Sequence, residues 1–400
     1  ETMRVLVLTT FTALCVASID YGDMILTPEQ EAYLFGNHSA AKRQAMSTVF
    51  PRWSIVYYTF AAGLPEATRV ATRLAAAQWH ERTCVDFVET ATKMPRIEVV
   101  DGDGCQSYIG LVNDAVQQLS LSTKGVGCGN VATATHELGH ALGLFHAQMR
   151  HDRDEYVTVV MANVDPFFEG NFKKETTDRN DNLGMPYDYG SIMQYTPKAF
   201  TRNNLATTVA KNPLYQRTMG SRQLSFYDVS MINELYQCKA RCAPCSSAKC
   251  ENGGYPHPRD CSKCICPGGF GGKTCNQRPD GCGEKLMATE KPQNLTFSIG
   301  DANNETMAHF PTFCNYHIEA PKGRRIEAKV FEAFVPWLSD GCGQGGIELK
   351  FMPDLRLTGA RACHYIEDIG MTVVSDGNLM PIIGYVSISQ AFFTIQYRLV

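Results

Sequence analysis

The 400-residue sequence has no apolar run long enough to cross a bilayer. The stretch that comes nearest, "VLVLTTFTALCVA" (5–17), follows Arg4, ends in small residues and stops short of a span. It reads as a secretory signal peptide, 3–17, cut near Ala17 or Ser18. Nor is there a charge excess of one sign. The formal net charge is −4 and no long basic run occurs, so a nucleic-acid partner has nothing to hold. What the chain does have is cysteine, sixteen of them, far more than a reducing cytosol favours. The expectation is a secreted, soluble, extracellular protein without a membrane span, with its oligomeric state left open. Hydrophobic residues at 44% are enough for ordinary cores, and the length fits about two to four domains. Three sequons, at Asn37, Asn294 and Asn304, are candidate glycan sites in such a protein.

Composition divides the chain. Residues 18–43 are polar and end in Lys42-Arg43, a dibasic pair that reads as the cut behind a pro-segment. From 51 the texture is globular. "IVYYTF" (55–60), "RIEVVD" (96–101) and "SYIGLV" (107–112) read as strands. "LPEATRVATRLAAAQWHE" (64–81) reads as a helix with Val70, Leu74 and Ala77 inward, and "NVATATHELGHALGLF" (130–145) as a second. "SFYDVSMINELYQC" (225–238) reads as a third, after a long irregular stretch rich in Asn, Gly, Pro and Thr. Residues 238–275 hold eight cysteines and too little apolar material for a core, so disulfides must hold them. Beyond 282 the alternation of apolar and polar residues predicts antiparallel strands of a β-sandwich.

The chemistry sits in "HELGHALGLFH" (136–146). Residues four apart share a helix face, so His136 and His140 can hold one metal ion. His146 is too far along a helix to join them. Gly143 removes that obstacle, because glycine takes the positive φ that ends a helix and turns the chain back. Three imidazoles and an open position are the donor set of a catalytic Zn2+, one per catalytic domain. Glu137, beside that face, is placed to take a proton from a water acidified by the metal.

This motif matches the metzincin signature. With "HDRDEYV" (151–157) and "SIMQY" (191–195), the chain resembles the astacin family of zinc metalloendopeptidases, of the nematode type with EGF-like and CUB domains. The resemblance implies a multidomain α+β protein. Its metzincin-type catalytic domain (44–238) has a mixed twisted sheet and an active-site helix, followed by a disulfide-rich EGF-like module (242–275) and a β-sandwich CUB domain (282–400). It implies that Met193 forms a Met-turn base beneath the metal. Tyr195 would be a metal ligand that swings to stabilise the oxyanion, and "SYIGL" the edge strand that pairs with substrate. "YGDMILT" (21–27) is similar to the propeptide motif, which makes Asp23 the zinc ligand of a zymogen and puts the mature start at Gln44 or close by.

By the same resemblance Cys84 pairs with Cys238, Cys105 with Cys128, Cys250 with Cys264, Cys266 with Cys275, Cys282 with Cys314 and Cys342 with Cys363. Cys242 pairs with Cys261, with Cys245 as the alternative first member. Glycines after Cys342 argue against a calcium site in the CUB domain. The accessory modules are either spacers or docking surfaces, docking being favoured for the CUB domain. Similar proteins act on extracellular matrix, cuticle or egg coat, so extracellular protein or peptide substrates are implied. Two residues depart from the family pattern. Ala147 stands where a glutamate usually meets the freed N-terminus, which predicts an N-terminus anchored differently or not at all. Gln194 stands in place of the Met-turn histidine. The rival reading is a non-catalytic extracellular adhesion or binding protein that keeps a protease fold. The ligand set separates the two readings, and here it is complete.

Overall fold

A computed structural model of the chain describes residues 22–35, 51–112, 115–124, 127–177, 179–243 and 247–400. The expectations for 3–17, Asn37, Lys42-Arg43, Gln44 and Cys245 lie outside the described residues.

The N-terminal unit is built on one six-stranded sheet. Its strands are β1 (Met24–Ile25), β2 (Ile55–Phe60), β3 (Asp86–Glu89), β4 (Arg96–Val100), β5 (Cys105–Tyr108) and β6 (Val116–Leu121), in the order β1-β5-β6-β4-β2-β3. β2, β3, β4 and β6 pair in parallel, and β5 runs antiparallel to β6. β1 lies parallel to the outer edge of β5. Alternation sorts the faces: Val56, Ile97, Val99, Leu119 and Leu121 are buried in the core. A short helix, α1 (Pro28–Phe35), follows β1.

Two helices cover the sheet. α2 (Glu66–Arg82) follows Pro65, whose fixed φ suits a helix start. Its buried face is Thr68, Ala71, Thr72, Ala75, Ala76 and Trp79. That corrects the predicted inward set of Val70, Leu74 and Ala77, which are only half-buried. Small residues on the buried face let α2 approach α3 (Val131–Ala141), and the Trp79 indole N–H donates to Thr135 O at 3.0 Å. The third strand also needs correction. It covers 105–108 and not 107–112, because Gly110 takes a φ of +70° and its N–H turns to His140 O. α4 (Phe226–Leu235) starts at a capping box, with the Ser225 hydroxyl on Asp228 N and the Asp228 carboxylate on Ser225 N. Disulfides join Cys84 to Cys238 and Cys105 to Cys128.

Residues 247–275 have a two-stranded hairpin (Tyr255–His257 with Asp260–Ile265) and little core of their own. Bonds Cys242–Cys261, Cys250–Cys264 and Cys266–Cys275 hold them. Residues 285–399 form a five-stranded and a four-stranded sheet packed face to face. Between them lie Ile318, Val330, Ile347, Met380, Ile382, Phe393 and Ile395, with bonds Cys282–Cys314 and Cys342–Cys363. Asn294 stands exposed on an outward position of its strand, and Asn304 is exposed in a turn.

The accessory units are not strung out from the first. Arg259 of the hairpin donates to His80, Thr83 and Val85 carbonyls at the end of α2. Thr358 of the sandwich donates its backbone N–H (3.2 Å) and hydroxyl (3.1 Å) to buried Asp188. Arg361, also buried, donates to Ser221 Oγ at 2.9 Å. The sandwich therefore braces the segment that carries Met193 and Tyr195.

Candidate active site

α3 is started by Asn130, whose side chain accepts from Thr133 N at 3.1 Å. The helix ends at Ala141, and Gly143 takes a φ of +107° to reverse the chain, the turn expected of that glycine; the stretch 130–145 read as helical runs past it. The reversal delivers His146 to the other two histidines. Their Nε2 atoms lie 3.2 Å (His140 to His146) and 3.3 Å (His146 to His136) apart. The Nδ1 atoms of His136 and His140 face the carbonyls of Ile192 (2.7 Å) and Leu144 (2.8 Å). Each carbonyl fixes the proton on Nδ1 and leaves the Nε2 lone pair pointing inward.

Three lone pairs converging at that spacing repel unless a cation lies between them. Tetrahedral zinc with bonds of about 2.0–2.1 Å places its nitrogen ligands about 3.3–3.4 Å apart, which fits. Burial, and then the neighbouring imidazoles, push His140 well below the ordinary histidine range. Burial lowers His146 too. That direction favours the neutral imidazole, the form in which histidine binds a metal.

The fourth position belongs to Asp23. Its carboxylate lies 3.1 Å from His136 Nε2 and 3.0 Å from His146 Nε2. Burial works against that charge, but His146 and His136 outweigh it and hold the carboxyl well below its usual range. These four side chains are the one metal-binding group found among the described residues. The chain around Asp23 lies along β5, with Ser107 N donating to Asp23 O at 2.8 Å and Met24 opposite Ser107. The edge strand expected to hold substrate is thus covered by β1.

Glu137 is 1% exposed, and neither carboxylate oxygen has a hydrogen-bond partner among the described residues. Burial, followed by the Asp23 charge, pushes its carboxyl well above the ordinary range. An uncompensated acid in such a place is costly and persists only where something else needs it. Met193 lies under α3, where a Cβ on Gly139 would come 3.0 Å from its sulfur. The Tyr195 ring packs on His146 with centroids 4.3 Å apart, and its hydroxyl lies 3.3 Å from Asp23 Oδ1. Two buried amides hold the Tyr195 backbone: Gln148 Oε1 accepts its N–H and Gln194 Nε2 donates to its carbonyl. Gln194 also accepts from the Tyr187 hydroxyl, so the departure from histidine has its own partner.

Ala147 is buried, and its N–H donates to Met193 O at 3.0 Å. It lines a cavity of about 320 Å³ together with Glu175, Asp188 and Asp228. Burial, with Asp228 adding to it, pushes the Asp188 carboxyl up to about 6. Asp181 lines it too, so a glutamate at 147 would put a fifth carboxyl into this space. Ala147→Glu is expected to lower the thermal midpoint, by about 1–3 kcal/mol of stability, and to leave zinc affinity nearly unchanged. Calorimetry and a zinc titration check it; an unchanged midpoint with altered zinc binding would contradict it.

The family model for the astacin peptidases matches residues 44–237. Zinc metalloproteinase nas-31 of Caenorhabditis elegans is 43% identical over 392 residues, covering 95% of this chain and 63% of its own. Zinc metalloproteinase nas-25 of the same organism is 33% identical over 380 residues, covering 92% of each chain. High choriolytic enzyme 1, a hatching enzyme zinc-protease from Oryzias latipes (medaka), is 32% identical; the match covers 50% of this chain and 99% of that one, with a TM-score of 0.44. The chain spans less than two thirds of nas-31 and of nas-32, 63% and 58% of their lengths. With relatives matched along most of both chains and the family model over the unit that carries the three histidines, the chain belongs to the astacin family of zinc metalloendopeptidases.

Proposed function

We propose that the chain is a secreted, zinc-dependent endopeptidase made as a zymogen, which hydrolyses peptide bonds of extracellular proteins. The observation that carries this reading is the buried Glu137 carboxyl, unpartnered among the described residues, beside three converging imidazoles. Zinc held by His136, His140 and His146 would supply a Lewis acid and lower the pKa of a water. Glu137 takes the proton of the attacking water and returns it to the leaving amine. Tyr195 gives a neutral donor for the oxyanion. β5 is the edge on which an extended substrate adds as a strand once β1 has left. Asp23 blocks the site until the pro-segment is cut, at Lys42-Arg43 in this reading. The three-disulfide hairpin and the two-sheet unit are read as the EGF-like module and the CUB domain. Matrix, cuticle and egg-coat proteins are the substrate candidates.

Purified, processed protein is expected to hold one zinc per chain and to cleave a peptide library. Removal of the zinc by a chelator should abolish cleavage, and zinc should restore it. Cleavage that survives full metal removal, or a protein that never binds zinc, would sink the enzyme reading and leave the adhesion alternative.

A further inference from the structure

Asn171 is fully buried, and neither its Nδ2 nor its Oδ1 has a hydrogen-bond partner among the described residues. A buried, unpaired carboxamide is costly unless a partner arrives later. Its surroundings show where that partner would come from. Gly22, the residue before Asp23, occupies the space beside it at a φ of +74°. A side-chain carbon on Gly22 would stand 2.7 Å from Asn171 Nδ2 and 2.8 Å from the Tyr195 hydroxyl. One point next to the Asp23 backbone is therefore within hydrogen-bonding reach of two donors from different parts of the chain. Donors about 2.7–3.1 Å from a common point are what a developing oxyanion requires.

The chain segments that carry the two donors are tied together. Asn171 lies in the 3-10 stretch Pro166–Phe172, capped by Asp165, which accepts from Phe167 N. The buried Phe172 ring stands edge-on to the Tyr195 ring at 5.9 Å. One guanidinium joins both sides: Arg153 Nη1 donates to Phe172 O and, at 2.7 Å, to Gln148 O. Gln148 in turn accepts the Tyr195 N–H. The Tyr195 backbone and the turn that carries Asn171 are thus tied through residues outside the pro-segment.

We infer that Asn171 is a catalytic residue, the second donor of an oxyanion hole that it forms with Tyr195, and that it binds the scissile carbonyl oxygen of a peptide substrate in the space Gly22 fills. No proton is transferred. The Nδ2–H hydrogen bond strengthens as the carbonyl oxygen gains charge. The inference rests on the endopeptidase reading, so processed wild-type protein serves as the reference in every assay: failure of the wild type to cleave rejects that reading, whereas the variant-to-wild-type ratio judges Asn171.

Asn171→Ala is expected to lower kcat about 10²-fold, the usual loss for one such donor, with KM little changed. Affinity for a phosphinic peptide, which mimics the tetrahedral oxyanion, should fall by the same factor, while zinc content stays at one per chain. Asn171→Asp keeps the shape and covers the case in which alanine disturbs folding. It replaces the donor with an acceptor and should be at least as defective at the wild-type thermal midpoint. The proposal is overturned if Asn171→Asp retains wild-type kcat, if KM alone moves, or if phosphinate affinity is unchanged in both variants.

Discussion

Glu137→Ala is expected to abolish measurable proteolysis while leaving zinc bound. General acid–base groups contribute about 10²–10⁴-fold, and in the proposed reaction one carboxylate serves both proton steps, so the loss should sit at the upper end or beyond. Zinc should stay because the ligand atoms left after processing come from His136, His140 and His146, not from Glu137. The carbonyls that orient His136 and His140 belong to Ile192 and Leu144 and are untouched by the change. The folded protein should also become more stable. Its two Glu137 oxygens are buried without partners among the described residues, so their removal relieves a cost of about 1–3 kcal/mol. Loss of activity with a raised thermal midpoint is a combination that a simple structural role would not give. Zinc analysis, calorimetry and peptide cleavage on one preparation decide it. Retained activity, or zinc lost along with it, would contradict the assignment.

Local sequence makes part of this site legible and leaves the rest to the fold. His136, His140 and Glu137 follow from helical spacing, and His146 from the turn at Gly143, because ligands within eleven residues obey local geometry. Asp23 lies 113 residues from His136 and is reached through resemblance only; no periodicity connects them. Asn171 is invisible in the sequence. Its one signal is an unsatisfied amide, and satisfaction is a property of packed neighbours. The sheet shows the same limit. β6, "VQQLSL", has glutamines in its first half and so lacks the β-branched pattern of a strand, yet it sits in mid-sheet between β4 and β5. The inward face of α2 escapes periodicity for a related reason. Trp79 and the alanines beside it are buried because α3 must come close, and that is a tertiary demand.

The second large effect concerns latency. An uncleavable precursor, with Lys42 and Arg43 both changed to Gln, is expected to be silent, and Asp23→Ala in that background should restore much of the activity. Asp23 holds His136, His146 and Tyr195 through contacts of 3.1, 3.0 and 3.3 Å. The Tyr195 hydroxyl is the donor among them; a hydrogen bond to a charged group contributes about 1.5–3 kcal/mol, and each 1.4 kcal/mol is about tenfold, so activity should rise by about 10- to 10²-fold. Zinc content should not change, since three histidines remain. Recovery should stay below that of the processed enzyme, because β1 still lies on β5 and occupies the edge a substrate needs. That remaining block is competitive by nature. It should raise KM more than it lowers kcat, whereas the Asp23 carboxylate, seated among the histidines themselves, sets kcat. If Asp23→Ala leaves the precursor silent, the carboxylate is not the latch and latency resides in the pairing of β1 with β5.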